Sequence, residues 1–481
     1  MNVVVVLLAI GGCQSSGVGA SAPASTNVRH LATTVRGGSG LLKIPKPAVA
    51  TRVGGGQKGV ATTAAAPIVK SKISGGTATI PNEIFNLVKA IVGVGVLSLP
   101  AGIAAFGNHP AALVPALTAI GVIGLLSAYG FAIIGKVCSL TGATSYRAAW
   151  SASVGPKSSW IPAWSTTLKT FLACLAISMV LADTFSSLLG STERTKVLLA
   201  VTTTILLPLC WLKNLSSLAP FSLLGVCGMA FTALAMTVCY MDGSYQFPDG
   251  KLLEFVAPAL QPSFGDAGLT SFLQPSAFIL VCMLSTAYMA HFNAPKFYLE
   301  LKDNTLPRYY TVVGSSFGIS ILLMGFITAI GFLTFGESAA GLVLNNYASK
   351  DVWMGASRVA VAVSLVFSYP LAFQGCRDGI LDLLQVPAEK RTSPAFLNLT
   401  TVLLLSTLTL LAANLKDVKL VLALGGATLG NALTYVYPAM MYRSVVKKLD
   451  LKGESAGVTV ASVSAVLGIV MGAIGTKIAL S

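Results

Sequence analysis

FNLVKAIVGVGVLSLPAG, residues 85–102, is apolar enough to lie in a bilayer, yet it holds Lys89, the triplet Gly93-Val94-Gly95 and Pro100 within a dozen residues. Hydrocarbon offers no water to unpaired N–H and C=O groups, so a weakened helix at that depth persists only where it lines a cavity or grips a ligand. The stretch therefore predicts an interrupted membrane helix that forms the first half of a binding site.

The rest of the chain agrees with a membrane setting. Of 481 residues, 54% are apolar and 10% charged, and the mean hydropathy is +0.77; a soluble domain does not stay in solution with such values. Eight cysteines lie mostly inside apolar runs without paired spacing, and read as small core residues rather than a disulfide framework or a metal site. No cofactor motif is present. The formal charge of +15 sits largely in a tail and in loops beside the spans, where it reports topology rather than nucleic-acid binding.

Residues 1–80 form a separate region. After a short apolar start, the chain to Thr79 is rich in Ala, Gly, Ser, Thr and Pro, with eight Lys or Arg and no acid. That composition buries too little apolar surface to fold. It reads as a disordered basic cytosolic tail or as a cleaved, organelle-type targeting segment. Residues 81–481 are the membrane domain.

A window of about 19 residues finds eleven candidate spans there. They lie near 84–107, 111–137, 163–189, 196–213, 218–241, 272–298, 308–336, 353–381, 396–414, 417–442 and 457–480. Lys and Arg gather in the loops that become cytosolic when the tail is cytosolic, and the acidic segment 242–271 becomes an outer loop. Taken as two halves of five, the halves open on matching interrupted spans. The sixth, SAFILVCMLSTAYMAHFNAPKFYLEL, carries Ser285, Thr286, His291, Asn293 and Pro295. Interrupted segments at corresponding positions of two halves are a pointer to a transporter site near the midplane.

Four stretches together resemble the amino acid/auxin permease family of the amino acid-polyamine-organocation superfamily, over about residues 82–480: FNLVKAIVGVGVLSLPAG, HFNAPKFYLELKD, RVAVAVSLVFSYPLAFQGCRDGI and LGGATLGNALTYVYPAMMY. That family includes sodium-coupled and proton-coupled neutral amino acid transporters. The resemblance implies an all-α multi-pass protein of LeuT-like fold, with five plus five inverted helices and one more. It implies alternating access, in which spans 1, 2, 6 and 7 rock against spans 3, 4, 8 and 9. It also implies an amino acid as partner, with a proton or sodium beside it.

A zwitterion needs donors for its carboxylate and acceptors for its ammonium. Unwinding at Gly93, Val94, Gly95 and Val96 would free N–H groups and expose the positive end of the outer half-helix. Carbonyls around Ser285, Thr286 and Ala287 would take the ammonium, and Asn293 would bond the loosened backbone of the second break. The plain alternative for the glycines is close helix packing.

Coupling candidates are Lys89, His291, Ser368 and Asp183. Lys89 lies four residues before Gly93 and hence on the same helix face. By the resemblance, sodium-coupled relatives carry asparagine at this place and proton-coupled relatives carry lysine, so proton coupling or sodium independence is expected. The alternative is a lysine that snorkels to the surface. Ser368 matches a hydroxyl of the sodium site in those relatives, or else it accepts from Lys89 or bonds back to its own helix. His291 is a proton relay or a cap of the second break. Asp183 is an outer proton-entry group or an interfacial carboxylate.

An enzyme is excluded by the lack of any convergent set of His, Asp, Glu or Cys. A sodium symporter and a transporter-like amino acid sensor remain as alternatives. The plasma membrane and vacuolar, endomembrane or organellar membranes are all open.

Overall fold

Long apolar runs with few charges must satisfy their backbone polar groups internally, and this chain does so as helix. The computed structural model describes residues 76–190, 192–211, 220–391, 393–415 and 417–480. The expected tail lies outside them up to residue 75. In chain order the helices are α1 Ile80–Ile91, α2 Leu99–Ala104, α3 Leu113–Thr141, α4 Tyr146–Ser153, α5 Trp160–Leu189, α6 Arg194–Val201, α7 Leu207–Cys210 and α8 Pro220–Met241. There follow α9 Ala277–Ala287, α10 Ala294–Glu300, α11 Leu306–Phe335, α12 Val352–Leu383, α13 Ala388–Arg391, α14 Pro394–Asn414, α15 Val418–Gly425, α16 Tyr437–Lys448 and α17 Ser455–Leu480.

Local chemistry sets several ends. Gly142 (φ 73°) and Gly190 (φ 60°) take the left-handed conformation that stops α3 and α5. Ser145 caps α4 by accepting from the Ala148 N–H, and Asp351 caps α12 by accepting from Met354, each at 3.1 Å.

Among the described residues, eight helical segments are long and apolar enough to cross a membrane, and α1 with Gly95–Ala104, bent by 42°, makes a ninth. The fourth and tenth expected spans are helical too, but irregular. Arg194–Cys210 widens into a π turn at Thr202–Leu206, just ahead of Pro208, which has no N–H to continue a regular ladder. Val418–Lys448 runs through two π turns, Gly426–Gly430 and Ala432–Val436.

Packing sorts the helices into two sets. One contains α1, α2, α3, α9, α10 and α11; the other contains α5, α6, α7, α12 and α14, with α12 lying along α5. These are the sets expected to form the rocking bundle and its scaffold. Between them, α8 touches α1, α11 and α12, while α15 touches α9 and α5. Phe131 centres the first set, with ring centroids 5.7 Å from Phe317, 5.7 Å from His291 and 6.1 Å from Tyr309.

The loops at the far end of α8 and α11 form a folded cap. The Tyr245 hydroxyl donates to Asp351 at 2.8 Å and accepts from the Ala348 N–H at 3.0 Å. Burial, followed by the charge of the Asp351 carboxylate, pushes this phenol well above its ordinary range. Arg358 on α12 ties the cap down by donating to the carbonyls of Leu344 and Tyr347 at 2.9 and 2.7 Å.

Candidate functional site

The first interruption falls where the glycines stand. α1 ends at Ile91, Val92 turns to ψ 83°, and Gly93 is extended (φ −116°, ψ −155°). The Gly93 N–H donates back to Ile91 O at 3.0 Å, and a tight 3-10 turn then runs from Val94 to Ser98 before α2. The first N–H groups of a new helical turn have no acceptor inside it, which puts Val94 and Gly95 in the donor positions. Val96 is fully buried. A Cβ placed on Gly93 would meet nothing within 4 Å, so this residue borders open space.

The second interruption lies slightly later than the expected carbonyls. α9 stays helical through Ala287; the chain leaves the helix at Tyr288–Ala290, makes one 3-10 turn at His291–Asn293 and re-enters at Ala294, with Pro295 in the first turn of α10. Ser285, Thr286 and Ala287 thus form the last turn of α9, where carbonyls run out of intrahelical donors. Two of their side chains are committed elsewhere. Ser285 Oγ lies 2.9 Å from Asn431 Oδ1, and Thr286 Oγ1 donates to Leu422 O at 2.5 Å. Asn293 is half-buried, and its N–H closes the turn on Ala290 O at 2.9 Å.

The two breaks meet. A Cβ on Gly95 would lie 3.4 Å from the Cβ of Ala287, with no gap for lipid. Donor positions from the first helix therefore sit beside acceptor positions of the second. This pairing is the one a zwitterion requires.

Lys89 turns inward rather than to the surface. Its ammonium donates to Ser364 Oγ on α12, and a side chain at Gly225 of α8 would overlap it. Ser364 is one turn before Ser368; the Ser368 hydroxyl donates to the Ser364 carbonyl at 2.7 Å, back within its own helix. The lysine thus bridges the bundle to the scaffold at a point one turn from the break.

His291 is fully buried, and its Nε2 lies 2.8 Å from the Ser127 carbonyl of α3. A carbonyl only accepts, so Nε2 carries the hydrogen. Nδ1 is buried without a hydrogen-bond partner among the described residues. Asp183 accepts from Arg194 Nε at 2.5 Å, and the same guanidinium donates to Ala412 O at 2.9 Å. The carboxylate is held in an ion pair that staples α5 to α6.

Span 10 contributes more than the sequence suggested. Gly426 packs so closely on α9 that any side chain would overlap the Cys282 carbonyl. Two π turns flank Asn431, which is 2% exposed, and π turns recur at functional sites. The cue was present in Gly425, Gly426 and Gly430, but it could not name Asn431 as the residue that holds Ser285.

Comparison with known proteins gives the family and the fold. A family model described as transmembrane amino acid transporter protein matches residues 76–480. The chain belongs to that family. Relatives match over most of both chains: amino acid transporter AVT6E of Arabidopsis thaliana is 23% identical over 85% of this chain and 85% of its own. Sodium-coupled neutral amino acid symporter 2 of Danio rerio is 24% identical over 84% of this chain and 81% of its own. Among solved structures, the nucleobase-cation-symport-1 family transporter MHP1, closed on a bound hydantoin, aligns with TM-score 0.51 at 12% identity, covering 86% of this chain and 94% of that one. The last shows the fold alone, which is LeuT-like. The transporter family assignment also settles that this is no enzyme.

Proposed function

We propose that the protein is a secondary active transporter of small or neutral amino acids that is proton-coupled or sodium-independent. The observation that carries this reading is Lys89: an ammonium bonded to Ser364 between α1, α8 and α12 puts positive charge at the place where, by the resemblance, sodium-coupled relatives carry asparagine. A like charge beside it would repel a sodium ion. In this reading the substrate carboxylate rests on the N–H groups of Val94 and Gly95, and its ammonium on the carbonyls that end α9. The bundle then rocks about the paired breaks to open each side in turn. Protonation of Lys89 biases the loaded states, while His291, tied to the Ser127 carbonyl, and Asp183, locked to Arg194, keep structural parts. The tail is taken as cytosolic and the membrane as plasma or vacuolar.

The test is radiolabelled neutral amino acid uptake into proteoliposomes, with an imposed pH gradient and with or without sodium. Uptake should follow the gradient, ignore sodium, and lose its pH response in Lys89→Asn. Sodium-stimulated uptake without a pH response would instead establish a sodium symporter, as one relative's name has it. No uptake under any gradient would favour the sensor reading.

A further inference from the structure

One buried carboxyl group has been left unused. Glu83 stands on the first turn of α1, is 1% exposed, and has no hydrogen-bond partner on either oxygen among the described residues. Several other acids of the domain are paired: Asp183 with Arg194, Glu454 with Lys136 and Tyr442, Asp382 with Arg147, and Asp351 with Tyr245 and the α12 terminus.

One helical turn before Glu83, whose N–H donates to Thr79 O at 3.0 Å, the chain makes a contact distant in sequence. The Gly76 N–H donates to Leu299 O at 2.8 Å, Ala78 to Glu300 O at 2.9 Å, and Lys302 back to Ala78 O at 2.9 Å. This short parallel pairing zips the chain entering α1 to the end of α10, and Gly76 has no room for a side chain against the Glu300 carbonyl. α11 closes another side, where Ser316 Oγ donates to Ile84 O at 3.3 Å.

Among the described residues, none of the groups facing Glu83 serves it as a counter-ion. On α10 the charges that reach it are Glu300 and Lys296, half-exposed or more, which pair with each other at 3.8 Å. On α11 Tyr309 is buried and donates to Phe131 O at 3.1 Å. On α1 itself Lys89 is bound to Ser364, and α8 carries no charged residue. A carboxylate with neither donor nor counter-ion is the costly form, and the neutral acid is the form such a place holds. A hard metal cation would need several oxygen ligands, and no cluster of three or more His, Cys, Asp or Glu exists among the described residues.

We propose that Glu83 is a proton-binding site of the transporter, protonated while Gly76–Thr79 is zipped to Leu299–Lys302 and ionised when that pairing parts and water enters. The step is a simple transfer: the carboxyl O–H bond breaks, the proton passes to water, and the carboxylate left behind is solvated. As a part of transport this rests on the proton-coupled reading; as a binding site it does not.

Infrared spectra of the full chain in lipid nanodiscs read the proton directly. The wild type at neutral pH should show a protonated-carboxyl carbonyl band that Glu83→Gln lacks, and identical spectra would overturn the site. If the Gln variant fails to fold, Glu83→Asp keeps the acid on a shorter stem and should shift the band; an unshifted band belongs to another acid and overturns the assignment equally. In proteoliposomes Glu83→Gln should lose most of the uptake driven by a pH gradient, with the remainder independent of pH. A gradient response equal to wild type would remove Glu83 from coupling. A wild type with the band but no gradient response would leave the site standing and sink the proton-coupled reading instead.

Discussion

At the first interruption the helix bends by 42° and its central residue, Gly93, borders open space. At the second, Ala277–Glu300 runs on as one span, and the side chains around the gap are tied outward: Ser285 to Asn431, Thr286 to Leu422, His291 to Ser127. One break is loose and lined by glycine; the other is fastened to α3 and span 10. A site built this way has one half able to yield to a ligand and one half that holds position, so substitutions at the two breaks should fail differently.

The largest expected effect is at the seam. A Cβ on Gly95 already touches Ala287 at 3.4 Å, so the longer side chain of Gly95→Leu has nowhere to go and should abolish uptake, whereas Gly95→Ala should retain it. Gly93→Ala has space and an extended backbone that alanine tolerates. It should fold normally and raise the KM for uptake, because its methyl enters the open side of the break. Equal loss of thermal stability in the two alanine variants would mean that both glycines serve packing only.

The fastened half predicts a stability effect rather than a binding one. His291→Ala removes a fully buried ring and leaves the Ser127 carbonyl without its donor, a cost of about 2–4 kcal/mol, to be read as a lowered melting temperature in detergent. His291→Gln, which restores a donor, should recover part of it. A variant that melts like wild type but loses its pH response would transfer His291 to the coupling machinery.

Both breaks were legible because Gly93, Pro100 and Pro295 are strong local signals in a segment too apolar to leave its backbone unpaired. Their meeting was not, since contact between residues 95 and 287 depends on how whole helices cross. The same limit explains Lys89: sequence offered Ser368 of span 8 as its partner, whereas Ser364, one turn earlier, binds it. Glu83 gave no sign in sequence, because an acid near a span end reads as interfacial, and its burial beside the pairing of 76–78 with 299–302 depends on contacts distant in the chain. The π turns of span 10 were hidden for a related reason, as its pattern stays helical while close approach to Cys282 decides the backbone.

The smallest effects test the fastened and loose halves through two serines. Ser285 joins α9 to Asn431 on another span, so Ser285→Ala should cost about 1 kcal/mol or less, in keeping with single hydrogen bonds between membrane helices. Ser368 bonds only to the carbonyl one turn back in α12, and Ser368→Ala should stay within about 0.5 kcal/mol and leave uptake indifferent to sodium. The pair is informative because each hydroxyl reaches the carbonyl one turn back, and Ser285 alone also meets a group on another helix. If Ser368→Ala altered the ion response while Ser285→Ala did nothing, the hydroxyl of α12 would be acting on a cation rather than on its own helix. Lys89 would then have to vacate its place beside Ser364 during the cycle, and the charge argument for sodium independence would fall.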